Sequence, residues 1–251
     1  MPDLINELSI IIPTLNEEHY LPRVLDHIVN QKWEGRLQVI VADGESKDAT
    51  VNIAKSYSSK FTDFEVVSSH NRTIGGARNE GATKAMYDHM LFIDCDIYLP
   101  PNFLQDFFKK IPSDRSILAF VLHVPSKFNV LDYLWTFGVF AFYSVYQFIN
   151  PYCSGTFFFV SKDVFEKVGG FKEGLRMAED IELSNRIMKA GATYRFFYKP
   201  FVYASARRLH EIGRMKMLYY WAKGYFDSLT SPDGTNKAGK DYTFGTHKKG
   251  H

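Results

Sequence analysis

The sequence predicts an α/β fold, with a mostly parallel central sheet and helices on both of its faces, and three observations lead there. A chain of 251 residues that is 45% hydrophobic and 23% charged can bury a full core. Strand-like and helix-like segments alternate through its first hundred residues, as they do when helical crossovers join parallel strands. Polar, turn-forming residues gather where the strands end, and in such sheets ligands sit outside the carboxyl ends of the strands.

The first segment, Leu8 to Ile12, is an apolar run that reads as a strand, and Glu18 to Gln31 follows as a helix. Leu37 to Ala42 (strand), Asp48 to Tyr57 (helix), Phe64 to Ser68 (strand), Ala77 to Tyr87 (helix) and Met90 to Asp94 (strand) continue the pattern. Three strand ends carry polar loops that converge on one crevice: Pro13 to Glu17, Asp43 to Ser46, and Asp94 to Asp96. Beyond Pro100 the order is less regular, with a helix over Asn102 to Lys110, a strand over Ser116 to Val124 and an apolar segment from Leu131 to Ile149. Gly155 to Val160 reads as a strand, Lys162 to Val168 as a short helix stopped by Gly169 and Gly170, Glu179 to Lys189 as a helix stopped by Gly191, and Thr193 to Tyr198 as a strand. No internal repeat is present, and one domain over residues 1–230 is expected. The tail 231–251, with Gly, Lys, Asp and Thr and few apolar residues, is expected to be poorly ordered.

Composition excludes several classes. With 30 basic and 28 acidic residues the net charge is +2, so no global field marks a nucleic-acid binder. Two cysteines, Cys95 and Cys153, make neither a disulfide framework nor a zinc site and read as small buried apolar residues. The start, Met1 to Glu7, lacks a basic segment followed by an apolar one, which leads to the expectation of a cytoplasmic protein.

Asp94 and Asp96 carry the most chemistry. Alternate residues of an extended strand face the same side, so both carboxylates can enter one pocket while Cys95 points away. Hard oxygen ligands suit Mg²⁺ or Mn²⁺, which keep coordination positions for substrate phosphates. Alone, such a pair is more often an acidic turn.

Five motifs change that balance. Ser9 to Glu17, Val41 to Thr50, Gly75 to Ala82, Asp94-Cys95-Asp96 and Ala178-Glu179-Asp180 resemble, in order and approximate spacing, those of the family 2 inverting glycosyltransferases, over about residues 7–210. The resemblance implies a GT-A fold, with residues 1–100 as a Rossmann-like, nucleotide-sugar-binding half and 101–230 as an acceptor half. It implies a nucleoside-diphosphate-sugar donor and a divalent metal held by Asp94 and Asp96. Asp43 would accept hydrogen bonds from the nucleotide base, although a turn cap before Gly44 is the plainer role. Pro13, Thr14 and Glu17 would line the donor site, while Thr14 and Glu17 also match a helix capping box. Gly76 would bring backbone close to the donor. Arg78 or Arg72 would offer a guanidinium to the diphosphate, or Arg78 would be a solvated helix-face residue. Asp180 would be the single general base that inversion requires, with Glu179 contacting the acceptor. Arg207 and Arg208 stand where relatives carry a diphosphate-contacting arginine, and His210 is a weaker candidate for the metal shell.

From Tyr133 to Ser161 no residue is charged, and Tyr133 to Ile149 approaches the lower length limit for a membrane-crossing helix. A crossing is not expected, because the metal pair precedes this run and the base follows it, and both serve one active site. A helix in the headgroup region, an acceptor wall, a subunit contact and ordinary core remain. The segment 213–229 reads as an amphipathic helix with an apolar stripe of Leu218, Trp221, Ala222, Tyr225, Phe226 and Leu229 and with Arg214, Lys216 and Lys223 for an anionic surface. Many relatives with a similar Ser-x-Arg-Arg segment act on polyprenol-linked or otherwise membrane-borne acceptors, so the resemblance points to peripheral contact with the cytoplasmic face of a membrane. Two rivals stand: a sugar-phosphate nucleotidyltransferase, whose Gly-rich basic loop the Pro13 to Glu17 segment lacks, and a catalytically silent donor-binding protein.

Overall fold

Leu8 to Thr14 are seven consecutive buried residues in the first strand, β1 (Glu7–Thr14), and burial of both alternating sets means that both faces of the sheet are covered there. The computed structural model describes residues 5–71, 73–111, 117–127, 129–175 and 177–230, so the expected tail 231–251 and Arg72 lie outside the described residues. With β1, strands β2 (Arg36–Asp43), β3 (Asp63–Ser68), β4 (His89–Ile93), β5 (Ile97–Tyr98), β6 (Ile117–Pro125), β7 (Phe157–Ser161) and β8 (Thr193–Ala204) form one sheet, in the order β3-β2-β1-β4-β7-β6-β8-β5. The junctions among β3, β2, β1 and β4 are all parallel, as is β6 with β8. The other three, β4 with β7, β6 with β7 and β5 with β8, are antiparallel, so the parallel character belongs chiefly to the first hundred residues.

Chain order reverses at β1: β2 and β3 are laid down on one side of it, β4 on the other. A crevice opens at such a switch point, outside the strand ends. The loops after β1, β2 and β4 therefore share it, as the sequence implies.

The helices are α1 (Leu21–Val29), α2 (Thr50–Ser56), α3 (Ile74–Thr83), α4 (Phe103–Phe108), α5 (Val130–Tyr146), α6 (Lys162–Lys167), α7 (Glu179–Lys189), α8 (Arg207–Ile212) and α9 (Arg214–Thr230). In α1 the buried residues Leu21, Val24, Leu25 and Ile28 follow helical spacing onto one face. The helix starts three residues later than expected, with Tyr20 as N-cap and proline in its first turn. No capping box forms: Thr14 lies in β1, and its hydroxyl is 3.2 Å from Asp43 Oδ1. By contrast α3 starts three residues earlier than expected, because the Thr73 hydroxyl accepts the Gly76 N–H at 3.1 Å. Glycine in this helix is a packing requirement, since a Cβ on Gly81 would stand 2.5 Å from the Ile11 side chain. The helix lies close on the sheet for that reason. Neither α8 nor the two-residue β5 is expected from the sequence, and β8 continues past Tyr198 because both β6 and β5 supply partners.

The ordinary-core reading of 133–149 is overturned. Only Asp132 and Tyr143 of α5 are buried, while Leu134, Phe137, Phe142 and Val145 are exposed, Phe137 by 75%. Among the described residues no helix is long and apolar enough to cross a membrane. Of the expected stripe on α9, Leu218, Trp221 and Phe226 are exposed; the side chains of Tyr225 and Leu229 lie outside those described.

Candidate active site

Asp94 follows β4 and Asp96 precedes β5, both are nearly buried, and both line a cleft of about 1360 Å³. Cys95 points away, with its thiol 3.8 Å from the Pro13 carbonyl. Arg78, on α3, donates to Asp94 Oδ1 at 2.9 Å through one terminal nitrogen and to Glu179 Oε1 at 2.9 Å through the other. It also donates to the Gly155 carbonyl at 2.7 Å, and a Cβ on Gly155 would stand 2.8 Å from the guanidinium. Arg78 is only 1% exposed, so the solvated helix-face reading falls. Its guanidinium instead ties the strand-end carboxylates to the start of α7.

That start is built by a backbone turn. Ala178, the N-cap of α7, takes a left-handed φ of 59°, a conformation that costs a non-glycine residue about 1 kcal/mol or more. Glu179 and Asp180 follow in the first helical turn, where the helix dipole favours carboxylates. The backbone N–H of Gly155 donates to Asp180 Oδ2 at 2.7 Å, and that of Ile181 donates to Oδ1 at 2.8 Å. Asp180 is thereby fixed without being the cap of its helix. Burial raises its pKa, more than the hydrogen bond from Gly155 lowers it. Glu179 is pushed up to about 7 by burial and by the Asp180 charge, with Arg78 opposing.

On α8, Arg208 Nη2 lies 3.1 Å from Asp94 Oδ2 and its Nε lies 3.8 Å from Asp96 Oδ2. Arg207 reaches Glu17 Oε1 at 3.4 Å and Asp96 Oδ2 at 3.7 Å, with its guanidinium 4.2 Å over the Tyr20 ring. Burial raises the pKa of Asp96, Arg208 pulls it down, and Asp94 adds to the rise. Two buried carboxylates that gather cations around them fit a divalent ion whose remaining ligands are phosphate oxygens and water. Among the described residues no group of three or more His, Cys, Asp or Glu stands ready to hold an ion alone. His210 is engaged elsewhere: its Nε2 lies 2.8 Å from Asp132 Oδ2 on α5.

Glu179, Asp180, Arg78, Asp94, Asp96 and Arg208 thus line one cleft. Pro13, Thr14, Glu17, Asp43, Gly76 and Arg207 stand outside its lining. Asp43 caps its own turn, accepting from the Ser46 N–H at 2.9 Å and the Ser46 hydroxyl at 2.5 Å. The close approach that Gly76 allows is made by the Asn71 side chain, 2.4 Å from where a Cβ would be. Sequence reasoning missed His123, Ser154 and Thr156, which also line the cleft. A lone histidine within the apolar strand Ile117–Pro125 was the one local signal available for His123.

The outer wall comes from Leu134, Trp135, Phe142 and Tyr146 of α5 and from Leu218 and Trp221 of α9. Acid pairs and a broad set of aromatic and aliphatic side chains thus share the lining of one cleft.

The profile described as Glycosyl transferase family 2 matches residues 9–169, well over half of the chain. Among similar proteins, the glycosyltransferase GlyA of Streptococcus pneumoniae is 29% identical over 114 residues, 45% of this chain and 16% of that protein. A dolichyl-phosphate beta-glucosyltransferase of Drosophila melanogaster is 39% identical over 102 residues, 36% of this chain and 31% of that protein. The chain thus spans less than a third of the length of either relative. Among solved structures, the mannosyltransferase PcManGT of Pyrobaculum calidifontis, in complex with GDP-Man and Mn²⁺, superposes with a TM-score of 0.70. That match covers 92% of this chain and 67% of the other at 18% identity, a likeness of fold.

Proposed function

The chain belongs to glycosyl transferase family 2, and from that premise we propose that it transfers a sugar from a nucleoside-diphosphate sugar to an acceptor hydroxyl or phosphate with inversion at the anomeric carbon. Its mixed sheet is of the GT-A type. One observation carries the reading: Arg78 joins Asp94 to Glu179, so the strand-end carboxylates and the Glu179-Asp180 pair open on the same cleft.

Inversion needs one base on the face opposite the leaving group. Asp180 is that base in this reading, with its oxygens oriented by the Gly155 and Ile181 N–H groups and made more basic by burial. Glu179, held by Arg78, contacts the acceptor. Asp94 and Asp96 would hold Mg²⁺ or Mn²⁺, which when bound neutralises charge developing on the diphosphate. Arg208, against both carboxylates and lining the cleft, contacts the same phosphates; Arg207 supports it from behind through Glu17 and Asp96. Asp43, on its capped turn beside Thr14, faces the nucleotide base, with Pro13 and Gly76 behind the donor. In this division residues 1–100 serve the donor and 101–230 the acceptor, within a single domain 1–230.

The apolar wall of α5 and α9 supports an acceptor carried on a lipid such as a polyprenol, met at the cytoplasmic face of a membrane. A lipid acceptor is also named for the Drosophila relative. Thermal shift with UDP, GDP and their sugars, with and without Mn²⁺, tests the donor class. A ligand at a hundredfold its dissociation constant stabilises by about 2.7 kcal/mol, and a flat response to every nucleotide would remove the reading. Slow metal-dependent hydrolysis of the bound sugar nucleotide separates an enzyme from a silent binding protein. Proton NMR of the product reads the anomeric configuration, and retention would contradict a single base.

A further inference from the structure

The turn Ser154-Gly155-Thr156 leads into β7 between the two acid pairs. Its Gly155 N–H holds Asp180 at 2.7 Å, and its Thr156 carbonyl accepts the Asp94 N–H at 3.2 Å. Ser154 and Thr156 line the cleft there, between the groups assigned to the base and to the diphosphate. Across from them, on β6, His123 is packed among the rings of Phe120, Phe140 and Phe157, at centroid distances of 4.9, 6.1 and 6.5 Å.

Hydrogen-bond polarity runs outward from this histidine. Nδ1 of His123 lies 2.9 Å from the Val121 carbonyl, which can only accept, so Nδ1 carries the proton. Burial pushes the ring down to about 4, so it is neutral at ordinary pH and Nε2 presents a bare lone pair. Thr156 Oγ1, 3.0 Å from Nε2, must therefore donate to it. Its single proton is then committed, so Ser154 Oγ, 3.0 Å from Thr156 Oγ1, must donate to Thr156 in turn. Toward the cleft the Ser154 hydroxyl offers only lone pairs.

We propose that Ser154, oriented by Thr156 and His123, accepts a hydrogen bond from one hydroxyl of the transferred sugar and so forms a subsite that selects the donor by that hydroxyl. The inference rests on the reading of donor and base given above and adds a recognition element to it. Thr156 and His123 are positioning residues, acting through the direction they impose on Ser154.

Calorimetric titration with Mn²⁺ tests it, using UDP, GDP, UDP-glucose, UDP-N-acetylglucosamine, GDP-mannose and deoxyfluoro analogues of whichever sugar nucleotide binds most tightly. The wild type is expected to bind one sugar nucleotide more tightly than the matching nucleoside diphosphate. Ser154→Ala should narrow that gap by about 3- to 10-fold, the worth of one hydrogen bond, while leaving the nucleoside diphosphate constant unchanged. Fluorine cannot donate, so at the position read by Ser154 a fluoro sugar should lose the same factor in the wild type and nothing in Ser154→Ala. Thr156→Val keeps the side-chain shape but frees the Ser154 proton, and the fluoro penalty should shrink. An unchanged gap in Ser154→Ala, an equal loss for the nucleoside diphosphate, or a wild type without sugar preference overturns the subsite. A wild type that binds no nucleoside diphosphate overturns the proposed function as well.

Discussion

A guanidinium withdrawn from water costs several kcal/mol unless carboxylates and carbonyls surround it, and Arg78 meets that condition through Asp94, Glu179 and Gly155. Arg78→Met should lower the unfolding free energy by about 3–5 kcal/mol in urea titrations, because buried Glu179 loses its counter-charge and Asp94 is left with Arg208 alone. A loss under 1 kcal/mol would show that the strut is dispensable. Asp180→Asn belongs to the chemistry instead: turnover should fall by roughly 10²- to 10⁴-fold with nucleoside diphosphate affinity kept, and wild-type turnover would remove Asp180 from its role. Since a base works deprotonated and burial raises Asp180, the rate should fall on acidification at a pH above the ordinary aspartate value of 3.8. Glu179 gives a stability signature of the opposite sense. Its folded pKa is raised from 4.5 to about 7, so the fold favours the protonated form. That contribution is complete below 4.5 and is lost as pH rises through 7. The stability difference between wild type and Glu179→Gln should therefore change across this window, and a difference flat from pH 4.5 to 7.5 would contradict the raised value.

Three helices that the sequence treats separately are joined at Asp132, the one acidic residue of α5. It is 2% exposed and accepts from His210 of α8 at 2.8 Å and from Arg214 of α9 at 2.5 Å. Arg214 is thereby drawn out of the basic face expected for α9, and His210 is engaged by Asp132 rather than by Asp94 or Asp96 in any contact of the described residues. Asp132→Asn should loosen this part of the apolar cleft wall, because His210 and Arg214, both partly exposed, lose the buried carboxylate that ties their helices to α5. Amide exchange is expected to speed up in α8 and α9 and to stay unchanged in β1, β2 and β4. Uniform acceleration would mean that Asp132 supports the whole fold.

At the scale of the molecule, exposed side chains of α5 and α9, Phe137, Phe142 and Trp221 among them, form an apolar exterior continuous with the cleft wall. Lys216 and Lys223 remain as basic residues of α9 beside it. Liposome flotation should show binding to anionic vesicles, with about 1 kcal/mol per basic residue and release in high salt or after Lys216→Glu with Lys223→Glu. Protein that stays at the bottom with anionic vesicles at low salt would turn this surface into a subunit contact. The sequence by itself determined the parallel first half, the three loops at its strand ends, the carboxylate pairs and the exact extent of α7, because strand alternation, turn residues and helix stops act over a few neighbouring positions. The tertiary structure alone decided what Arg78 does, where Arg207 and Arg208 point, that α5 is exposed, and that Thr156 links His123 to Ser154. These depend on partners far apart in the chain, such as Arg78 with Glu179 across 101 positions and Arg208 with Asp94 across 114, and no local period records which distant charge a buried side chain will meet.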